Sequence, residues 1–433
     1  MKLTILGGGG FRVPLVYSAL LSDDDRLIDR LCLYDTDPVR LRVVESVLAQ
    51  MQAAHSSLKP VKVEVTTDLP TALAGADFVF SAIRVGGLES RIADERRALA
   101  LGVLGQETVG PGGIAYALRS IPVALETARE LNRCSPEAFV LNFTNPAGMI
   151  TEAMRTELGH RVMGICDTPS GMIRRLATHF DVDDNRLNID YVGLNHLGWL
   201  RHATVGQRDL VQELLQDNDG LAGFEEGRLF GVDWVRQLGT LPNEYLAYYY
   251  NNRDAVAAIT RQQQTRGEYL AEQQDRFYRQ VTQDPDQALA RWQSARAERE
   301  DSYMREIRDG EDAGNEHGGG YEKVALDAMH AIARNKPATM ILDVANGSAI
   351  EALPSDAVVE VPCLVDAGGA RPLAVRCPDP GQLGLMLQIK HVEQLTIQAA
   401  TKRDSGLAWE ALALHPLVGS TTIAKSLAEN LIS

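Results

Sequence analysis

Two side chains of this sequence can together hold a metal ion or carry out nucleophilic chemistry. Cys166 ends the apolar run RVMGIC at 161–166, and His196 lies 30 residues further on, in YVGLNHLGWL. A thiolate is a nucleophile when a base stands beside it, and a thiolate with an imidazole also suits a divalent metal that keeps open positions for substrate. A buried cysteine is more often a small apolar core residue, and a histidine in a strand is often a hydrogen-bonded core residue. From chemistry alone all of these interpretations stay open.

The strands and helices that precede Cys166 determine its position, and they are indicated by short apolar runs that alternate with helical patterns. These runs predict strands at 2–6, 30–35, 62–67, 77–83, 138–143 and 161–166. The alternation is typical of a Rossmann-like, doubly wound parallel sheet, which we expect to form an NAD-binding domain over residues 1–168. Ligands bind at the carboxyl ends of the strands in such open sheets, and Cys166 lies at one of these ends.

The pattern changes after about residue 168. One long strand-like segment, NIDYVGLNHLGWL at 188–200, precedes mostly helical sequence from 243 to 311. Residues 169–433 therefore predict a second domain of mixed α+β type that binds metal and substrate. The polar, glycine-rich segment 308–324 predicts a mobile surface loop leading into a helix with the sequence EKVALDAMHAIARN.

The glycines after the first predicted strand indicate a dinucleotide site. Glycine lets the backbone approach a pyrophosphate at the start of the following helix, although Arg12 stands where the third glycine of G-x-G-x-x-G belongs. Asp35, at the end of the second strand, suits the ribose hydroxyls and would favour NAD over NADP. A plain glycine turn, with Asp35 starting a turn or capping the helix near Pro38, is the alternative. The predicted cofactor-binding backbone consists of Gly7, Gly8, Gly9, Gly10 and Phe11.

Charge and cysteine content exclude several classes of protein. The net charge of −15 and the pI near 5.1 argue against a nucleic-acid or anionic-membrane partner, because both require a basic face. The five cysteines include no C-x-x-C pair, so neither a disulfide framework nor a zinc knuckle is indicated. No apolar run is long enough for a signal peptide or a membrane span. We therefore expect a soluble cytoplasmic protein with a small-molecule substrate.

The order of several motifs resembles glycoside hydrolase family 4, the NAD- and divalent-metal-dependent glycosidases. The motifs are GGGGFRVP, IRVGGLESRIADE, LNFTNPAG, GICDTP, GLNHLGW and TRGE. The chain is most similar to the 6-phospho-β-glucosidases of that family. The resemblance implies a C-terminal domain like that of lactate and malate dehydrogenases, a phosphorylated glycoside as substrate, and a homodimer or homotetramer. It also implies NAD and a divalent metal, commonly Mn²⁺, as cofactors.

The same resemblance implies roles for individual residues. Cys166 and His196 would hold the metal, whose other positions take sugar hydroxyls and water. Tyr245, in the P-x-x-Y-L pattern of LPNEYLAYYY, would be the base, whereas the tyrosines at 248–250 suit a packed helix face better. NAD⁺ would take hydride from C3, Tyr245 would remove the C2 proton, the aglycone would leave, water would add, and the hydride would return.

Three further residues are assigned by the resemblance. Arg91 in RIADE and Arg266 in TRGE would bind the sugar phosphate, because a planar guanidinium binds two oxygens at once. Asn145 in TNP would contact sugar or cofactor. Surface arginines are common, so an ordinary surface role is the alternative for both.

Asp167 departs from the β-specific pattern. Many β-specific members carry asparagine after the metal cysteine, whereas an aspartate there is similar to the α-specific members, in which it is the general acid. A 6-phospho-α-glucosidase, or another family 4 glycosidase, is therefore the first alternative. The more remote ones are an NAD-dependent 2-hydroxy acid dehydrogenase, whose D-x-x-R pattern is missing because TPSG follows Asp167, and a non-catalytic sugar-phosphate or NAD sensor.

Overall fold

The computed structural model describes residues 1–55, 60–302, 320–429 and 431. Its strands are β1 (Lys2–Leu6), β2 (Arg30–Tyr34), β3 (Lys62–Thr66), β4 (Phe78–Ser81), β5 (Phe139–Asn142), β6 (Val162–Gly164), β7 (Asn188–Leu194), β8 (Leu197–Val205), β9 (Arg208–Asp209), β10 (Leu241–Pro242), β11 (Ala338–Ala345), β12 (Val358–Asp366) and β13 (Gly369–Pro372). Its helices are α1 (Val13–Leu21), α2 (Pro38–Ala54), α3 (Leu69–Leu73), α4 (Gly87–Ala100), α5 (Gly110–Cys134), α6 (Ala147–Leu158), α7 (Thr168–His179), α8 (Leu210–Gln216), α9 (Asn218–Gly223), α10 (Glu225–Phe230), α11 (Val232–Leu238), α12 (Ala247–Tyr250), α13 (Asn252–Arg261), α14 (Arg266–Gln283), α15 (Ala288–Asp301), α16 (Tyr321–Arg334), α17 (Pro380–Lys402), α18 (Ser405–Leu414) and α19 (Thr421–Ala428).

The first six strands form the predicted Rossmann-like sheet. They lie in the order β3-β2-β1-β4-β5-β6, and every neighbouring pair among them is parallel. Strand β1 is buried along its whole length, as expected for a parallel sheet covered on both faces. The carboxyl ends of β1, β5 and β6 therefore reach one edge of the sheet, where the cofactor and metal residues were predicted.

The second half of the chain extends the same sheet with antiparallel strands. Strand β11 pairs with β6, and β12, β7, β8 and β10 follow in that order, giving a sheet of 13 strands with β9 and β13 at its sides. Helix α17 packs against α5 and α6, so C-terminal helices cover the first half of the sheet. This mixed architecture agrees with the predicted α+β character of the second half.

The prediction of one long strand at 188–200 was wrong, because the segment is a hairpin. Strands β7 and β8 pair up to Leu194 and Leu197, so Asn195 and His196 alone make the turn. His196 has φ of 62°, the left-handed region in which the chain reverses sharply. The sequence hid this turn because apolar residues flank it on both sides and no glycine or proline occupies it.

The remaining helical predictions hold where the structure describes the chain. Helices α12 to α15 occupy the predicted helical region, and α16 begins at Tyr321, one residue before the predicted EKVALDAMHAIARN helix. The predicted mobile loop at 308–324 lies mostly outside the described residues, which resume at 320.

Candidate active site

The loop between β1 and α1 is built so that only glycine fits at its first positions. Gly7 has φ of +83°, and a Cβ there would lie 2.5 Å from the Ala82 carbonyl oxygen. A Cβ on Gly8 would lie 2.7 Å from Cβ of Leu33. The loop is therefore packed against the ends of β2 and β4; Gly8 and Gly9 are buried, and Gly7 and Gly10 are partly accessible, so a ligand can approach the backbone there closely because no side chain intervenes.

Asp35 holds the glycine loop from the end of β2. Its Oδ2 accepts a hydrogen bond from the Gly9 amide at 3.0 Å, and its Oδ1 accepts one from the Asp37 amide at 3.0 Å. The helix cap is Asp37, which accepts from the amides of Val39 and Arg40. Asp35 thus starts the turn and does not cap α2, and its half-buried carboxylate lies beside the loop at the predicted ribose position.

Helices α14 and α15 cover the same loop through residues that the sequence did not single out. Tyr278 donates from its hydroxyl to the Gly9 carbonyl at 2.6 Å, and the Trp292 indole donates to the Phe11 carbonyl at 2.9 Å. The Phe11 ring is buried and meets Phe277 edge-on at 5.4 Å between ring centres. Phe11 therefore has only its backbone to offer a cofactor.

Asn145 supplies an unpartnered polar atom at the carboxyl end of β5. Its side-chain amide donates weakly to the Phe143 carbonyl at 3.5 Å, while its Oδ1 is buried without a partner among the described residues. A buried acceptor of this kind costs free energy unless a ligand or water satisfies it. Asn145 therefore fits the predicted role of contacting sugar or cofactor.

Cys166 is two residues beyond β6, buried at the junction of the two halves of the sheet. Burial, followed by the negative charges of Glu360 and Asp167, raises the pKa of the Cys166 thiol well above its ordinary value. A lone thiolate is therefore disfavoured here, whereas a bound cation would offset both the burial and the negative neighbours. The surroundings fit a metal ligand better than an unassisted nucleophile.

His196 occupies the turn of the β7–β8 hairpin and is nearly inaccessible to solvent, with 6% of its surface exposed. Burial lowers its pKa to about 4, so the imidazole is neutral near pH 7 and keeps a nitrogen lone pair for a metal. Its ring stacks on Tyr245 with 3.7 Å between ring centres and 8° between planes. The predicted metal ligand and the predicted base are thus in direct contact.

Glu360 of β12 links the histidine turn to the cysteine. Its carboxylate accepts from the Tyr191 hydroxyl at 2.7 Å and from the Asn195 side chain at 3.3 Å, next to His196. Burial raises the pKa of Glu360 to about 7, and its charge acts on Cys166. Sequence reasoning missed this residue, although one acid within the apolar run VVEVPCLV was a usable signal.

Among the four tyrosines of the LPNEYLAYYY segment, Tyr245 is the one that reaches this site. It lies in the short 3-10 helix Glu244–Leu246. Tyr248 is buried in the core, Tyr249 stacks with His415, and Tyr250 accepts a hydrogen bond from the Trp199 indole at 3.1 Å. The structure therefore places the other three as packing residues.

Among the described residues, no three His, Cys, Asp or Glu side chains form a group that would hold a metal ion on their own. A catalytic metal can instead keep open positions for substrate and water, so two protein ligands suffice when a sugar supplies oxygens. Sulfur and imidazole nitrogen are donors that suit a first-row divalent ion. Cys166 and His196 fit such a group by their donor chemistry.

Asp167 and Arg12 line the mouth of the site together. Asp167 begins α7, and one of its oxygens lies 3.7 Å from Arg12 Nη1, with 35% of the aspartate side chain exposed. The Arg12 guanidinium carbon also lies 5.7 and 5.5 Å from the ring centres of Phe143 and Tyr321. The Asp167 carboxyl group, next to Cys166, is thus paired with Arg12 and still partly exposed, so that a bound substrate can reach it.

The two arginines predicted for phosphate line one cavity between α4 and the start of α14. Arg91 is buried and bridges Glu95 at 2.6 Å and Glu107 at 2.8 Å. Arg266 donates to the Ser302 carbonyl at 3.0 Å and to its hydroxyl at 2.9 Å. The structure thus brings the pair together, but both guanidinium groups already hold partners within the chain.

Comparison with known proteins places the chain in a family. The model described as family 4 glycosyl hydrolase matches residues 2–182, and the model of the family 4 glycosyl hydrolase C-terminal domain matches residues 191–418. The chain belongs to family 4 of the glycosyl hydrolases. This family 4 chain is 32% identical over 455 residues to 6-phospho-alpha-glucosidase 1 of Lacticaseibacillus paracasei, across 100% of this chain and 96% of that relative.

Solved structures agree with the family 4 assignment and with the predicted fold. The 6-phospho-beta glucosidase of Thermotoga maritima, solved with manganese, NAD⁺ and glucose-6-phosphate, has 27% identity and a TM-score of 0.82, across 100% of this chain and 97% of that one. Malate dehydrogenase of Plasmodium falciparum, at 13% identity and a TM-score of 0.54 across 93% and 99%, shares the fold alone. The predicted family and the Rossmann-like, malate dehydrogenase-like fold are both confirmed.

Within the described ranges, no helix of this family 4 chain has the length and apolar character that crossing a bilayer requires.

Proposed function

We propose that the chain is a 6-phospho-β-glucosidase that uses NAD and a divalent metal, Mn²⁺ by preference. The observation that carries the proposal is the stacking of His196 on Tyr245 at the carboxyl edge of a Rossmann-like sheet. Glu360 lies next to this pair, and burial together with its negative charge raises the pKa of Cys166. A 6-phospho-beta glucosidase with NAD⁺, manganese and glucose-6-phosphate is a close structural neighbour. Family 4 membership supports the class of reaction.

The cofactor residues have separate tasks. When bound, NAD supplies a reversible hydride acceptor for C3 of the sugar, and the metal supplies a Lewis acid for the sugar hydroxyl oxygens. The backbone of Gly7, Gly8, Gly9, Gly10 and Phe11 receives the pyrophosphate, Asp35 receives the ribose, and Asn145 contacts the nicotinamide side or the sugar. Cys166 and His196 hold the metal.

Tyr245 removes the C2 proton, which oxidation at C3 makes acidic. Stacking on His196 fixes the plane of the Tyr245 ring, so its hydroxyl would stay close to a metal held by His196 and to a sugar bound there. Asp167 donates a proton to the departing glycosidic oxygen from the accessible mouth of the site. The phosphate at C6 binds in the cavity lined by Arg91 and Arg266.

A 6-phospho-α-glucosidase is the second candidate. Asp167 directly after Cys166 favours it, and so does the 32% identity to an α-specific relative. Because the C2 proton leaves before the glycosidic bond breaks, the leaving group is not tied to one face of the ring as it would be in direct displacement. Asp167 is thus the residue on which the choice of anomer depends.

The deciding experiment is an assay of four p-nitrophenyl 6-phosphoglycosides, the α and β forms of glucose and galactose, with NAD⁺ and Mn²⁺. We expect the β-glucoside 6-phosphate to be cleaved fastest, with no net NADH and no cleavage after chelation. Preference for the α form would replace the β assignment. NADH that accumulates with substrate would indicate a dehydrogenase, and binding without turnover would indicate a sensor.

The organisation of the protein is part of the proposal. We infer an NAD-binding domain at 1–168 and a metal- and substrate-binding domain at 169–433, a boundary that follows the change from parallel to antiparallel pairing after β6. A homodimer or homotetramer in the cytoplasm, acting on a small phosphorylated glycoside without a nucleic-acid or membrane partner, stays a prediction.

A further inference from the structure

The phosphate cavity has a neighbouring arginine that the sequence motifs did not include. Arg299 lies in the last turn of α15, and its guanidinium carbon is 5.6 Å from the centre of the Phe11 ring in the cofactor loop. Arg266, at the start of α14, donates to the Arg299 carbonyl oxygen over 3.4 Å. Arg299 is thus located between the cofactor loop and an arginine already proposed to bind phosphate.

Like charges surround Arg299. Arg12, Arg266 and Arg91 all act on its guanidinium, together with the carboxylate of Glu107. Burial, followed by the charges of Arg12 and Arg266, lowers the pKa of Arg299 to about 9. The group remains charged at pH 7, in a position where a protein normally provides a counter-ion.

The nearby carboxylates are already paired with other arginines. Glu107 lies 2.5 Å from Arg84 and 2.8 Å from Arg91, and Asp167 lies 3.7 Å from Arg12. The charged groups that act most strongly on Arg299 are three arginines, Arg12, Arg266 and Arg91, and one carboxylate, Glu107, so its surroundings are locally positive although the whole chain carries −15.

We propose that Arg299 binds the phosphate group of the sugar substrate, next to Arg91 and Arg266. The inference rests on the proposed function and assigns a further specificity residue to that site. A phosphate ester carries nearly two negative charges at pH 7, which matches the local excess. Within the described residues the Arg299 guanidinium has a contact with the Phe11 ring and no ion pair or hydrogen bond, and a planar guanidinium can bind two phosphate oxygens.

The NAD pyrophosphate is the competing phosphate source, because the cofactor loop is also close. Two of the groups that act on Arg299, Arg91 and Arg266, line the cavity beyond α4, whereas the pyrophosphate position is at the glycine amides of the first loop. This arrangement favours the sugar phosphate. Both sources share one chemistry, so the experiment must separate them.

The test compares Arg299→Met with the control variant Arg291→Met. Arg291 belongs to the same helix, and its guanidinium pairs with Asp284 at 2.7 Å. Calorimetry would measure the affinity of each purified protein for glucose 6-phosphate, glucose and NAD⁺. We expect Arg299→Met to weaken glucose 6-phosphate binding by about 10- to 100-fold, the usual effect of losing a charged hydrogen bond. Glucose and NAD⁺ binding should change by less than about threefold, and Arg291→Met should match the wild type.

Each outcome decides the matter. Unchanged glucose 6-phosphate affinity in folded Arg299→Met overturns the proposal, and so does a loss confined to NAD⁺, which would assign Arg299 to the pyrophosphate. If Arg299→Met does not fold, Arg299→Lys replaces it, because lysine keeps the charge without the planar fork. This variant should bind glucose 6-phosphate about three- to tenfold more weakly than the wild type. Wild-type affinity in Arg299→Lys overturns the proposal. If the Arg299→Met variant loses affinity for glucose 6-phosphate but the wild type cleaves no phosphoglycoside, the proposed function is refuted and the role of Arg299 in phosphate binding stands.

Discussion

Metal binding should release one proton per ion between pH 5.5 and 7.5, and that proton should come from Cys166. The thiol has a raised pKa because it is buried beside Glu360 and Asp167, so it is protonated over this whole range before a metal binds. His196 has a pKa of about 4 because it is buried, so it has already lost its proton. Only the deprotonated forms of both groups bind a metal, which makes the affinity depend on pH.

The expected magnitude follows from these two protonation states. The proton released by the thiol alone makes the affinity rise tenfold per pH unit, or about 100-fold from pH 5.5 to 7.5, and any proton released by Glu360, whose pKa is about 7, adds to this. A histidine with an ordinary pKa near 6.5 would add roughly another tenfold over the same interval, for a total of about 1000-fold. The lowered pKa of His196 thus makes a difference of one order of magnitude, which titration resolves.

The measurement is Mn²⁺ binding by calorimetry at several pH values, each repeated in two buffers of different ionisation enthalpy to count protons. Cys166→Ser should weaken binding and abolish most of the pH dependence, because a serine hydroxyl loses no proton in this range. Glu360, with a pKa of about 7, can supply a second proton near pH 5.5, so a second proton that persists in Glu360→Gln would show that His196 is protonated in the free protein. A pH-independent affinity in the wild type would refute the assignment of the thiol as a ligand.

Three further predictions concern the base, the cofactor loop and the C-terminal region. Tyr245→Phe should lower kcat and C2 proton exchange with solvent by about 10²- to 10⁴-fold, the usual contribution of a general base, while NAD⁺ affinity measured by fluorescence stays the same; full exchange would assign the base elsewhere. Gly8→Ala should weaken NAD⁺ binding at least tenfold in the same titration, because the new Cβ would lie 2.7 Å from Leu33 Cβ, and wild-type affinity would contradict this packing. His415 accepts from the Leu417 amide at 3.1 Å, and burial lowers its pKa to about 3, below an unfolded value near 6.5. The wild type should therefore lose about 2 kcal/mol of unfolding free energy relative to His415→Asn between pH 8 and pH 5, as the unfolded histidine takes up a proton, and a constant difference in denaturant titrations would exclude this.

The sequence predicts the first half of the fold well because its signals are local. Each strand predicted in the first 166 residues lies within three residues of the predicted bounds; β1 and β4 are apolar because they are buried throughout, whereas the edge strand β3, KVEVT, shows the alternation of an exposed strand. The position of Cys166 just beyond β6 followed from the same rule. The P-x-x-Y-L motif distinguished Tyr245 from the three tyrosines that follow it as the candidate base. Its stacking on His196 in the structure supports that choice.

What the sequence could not predict depends on contacts between distant segments. The reversal at His196 is set by the pairing of β7 with β8, and the flanking residues alone look like one strand. Glu360 reaches the site from β12, and Arg299 from α15, because of the order of strands and the packing of helices. Neither residue belongs to a recognisable motif near the other site residues, so only the folded chain shows their proximity.

The two proposed metal ligands come from different halves of the sheet. Cys166 follows the last parallel strand, whereas His196 is in the turn of a hairpin from the antiparallel half, and Glu360 connects the two through Asn195. Within the sheet, the two halves meet through the residue pair Gly164 with Asp343, and inside the second half β7 pairs with β12 through Gly193 and Glu360. A change that loosens this junction would separate the thiol from the imidazole while leaving the glycine loop intact, because that loop is held by Asp35 within the first half and by helices from the second. Metal affinity should therefore respond to junction mutations more strongly than NAD⁺ affinity does.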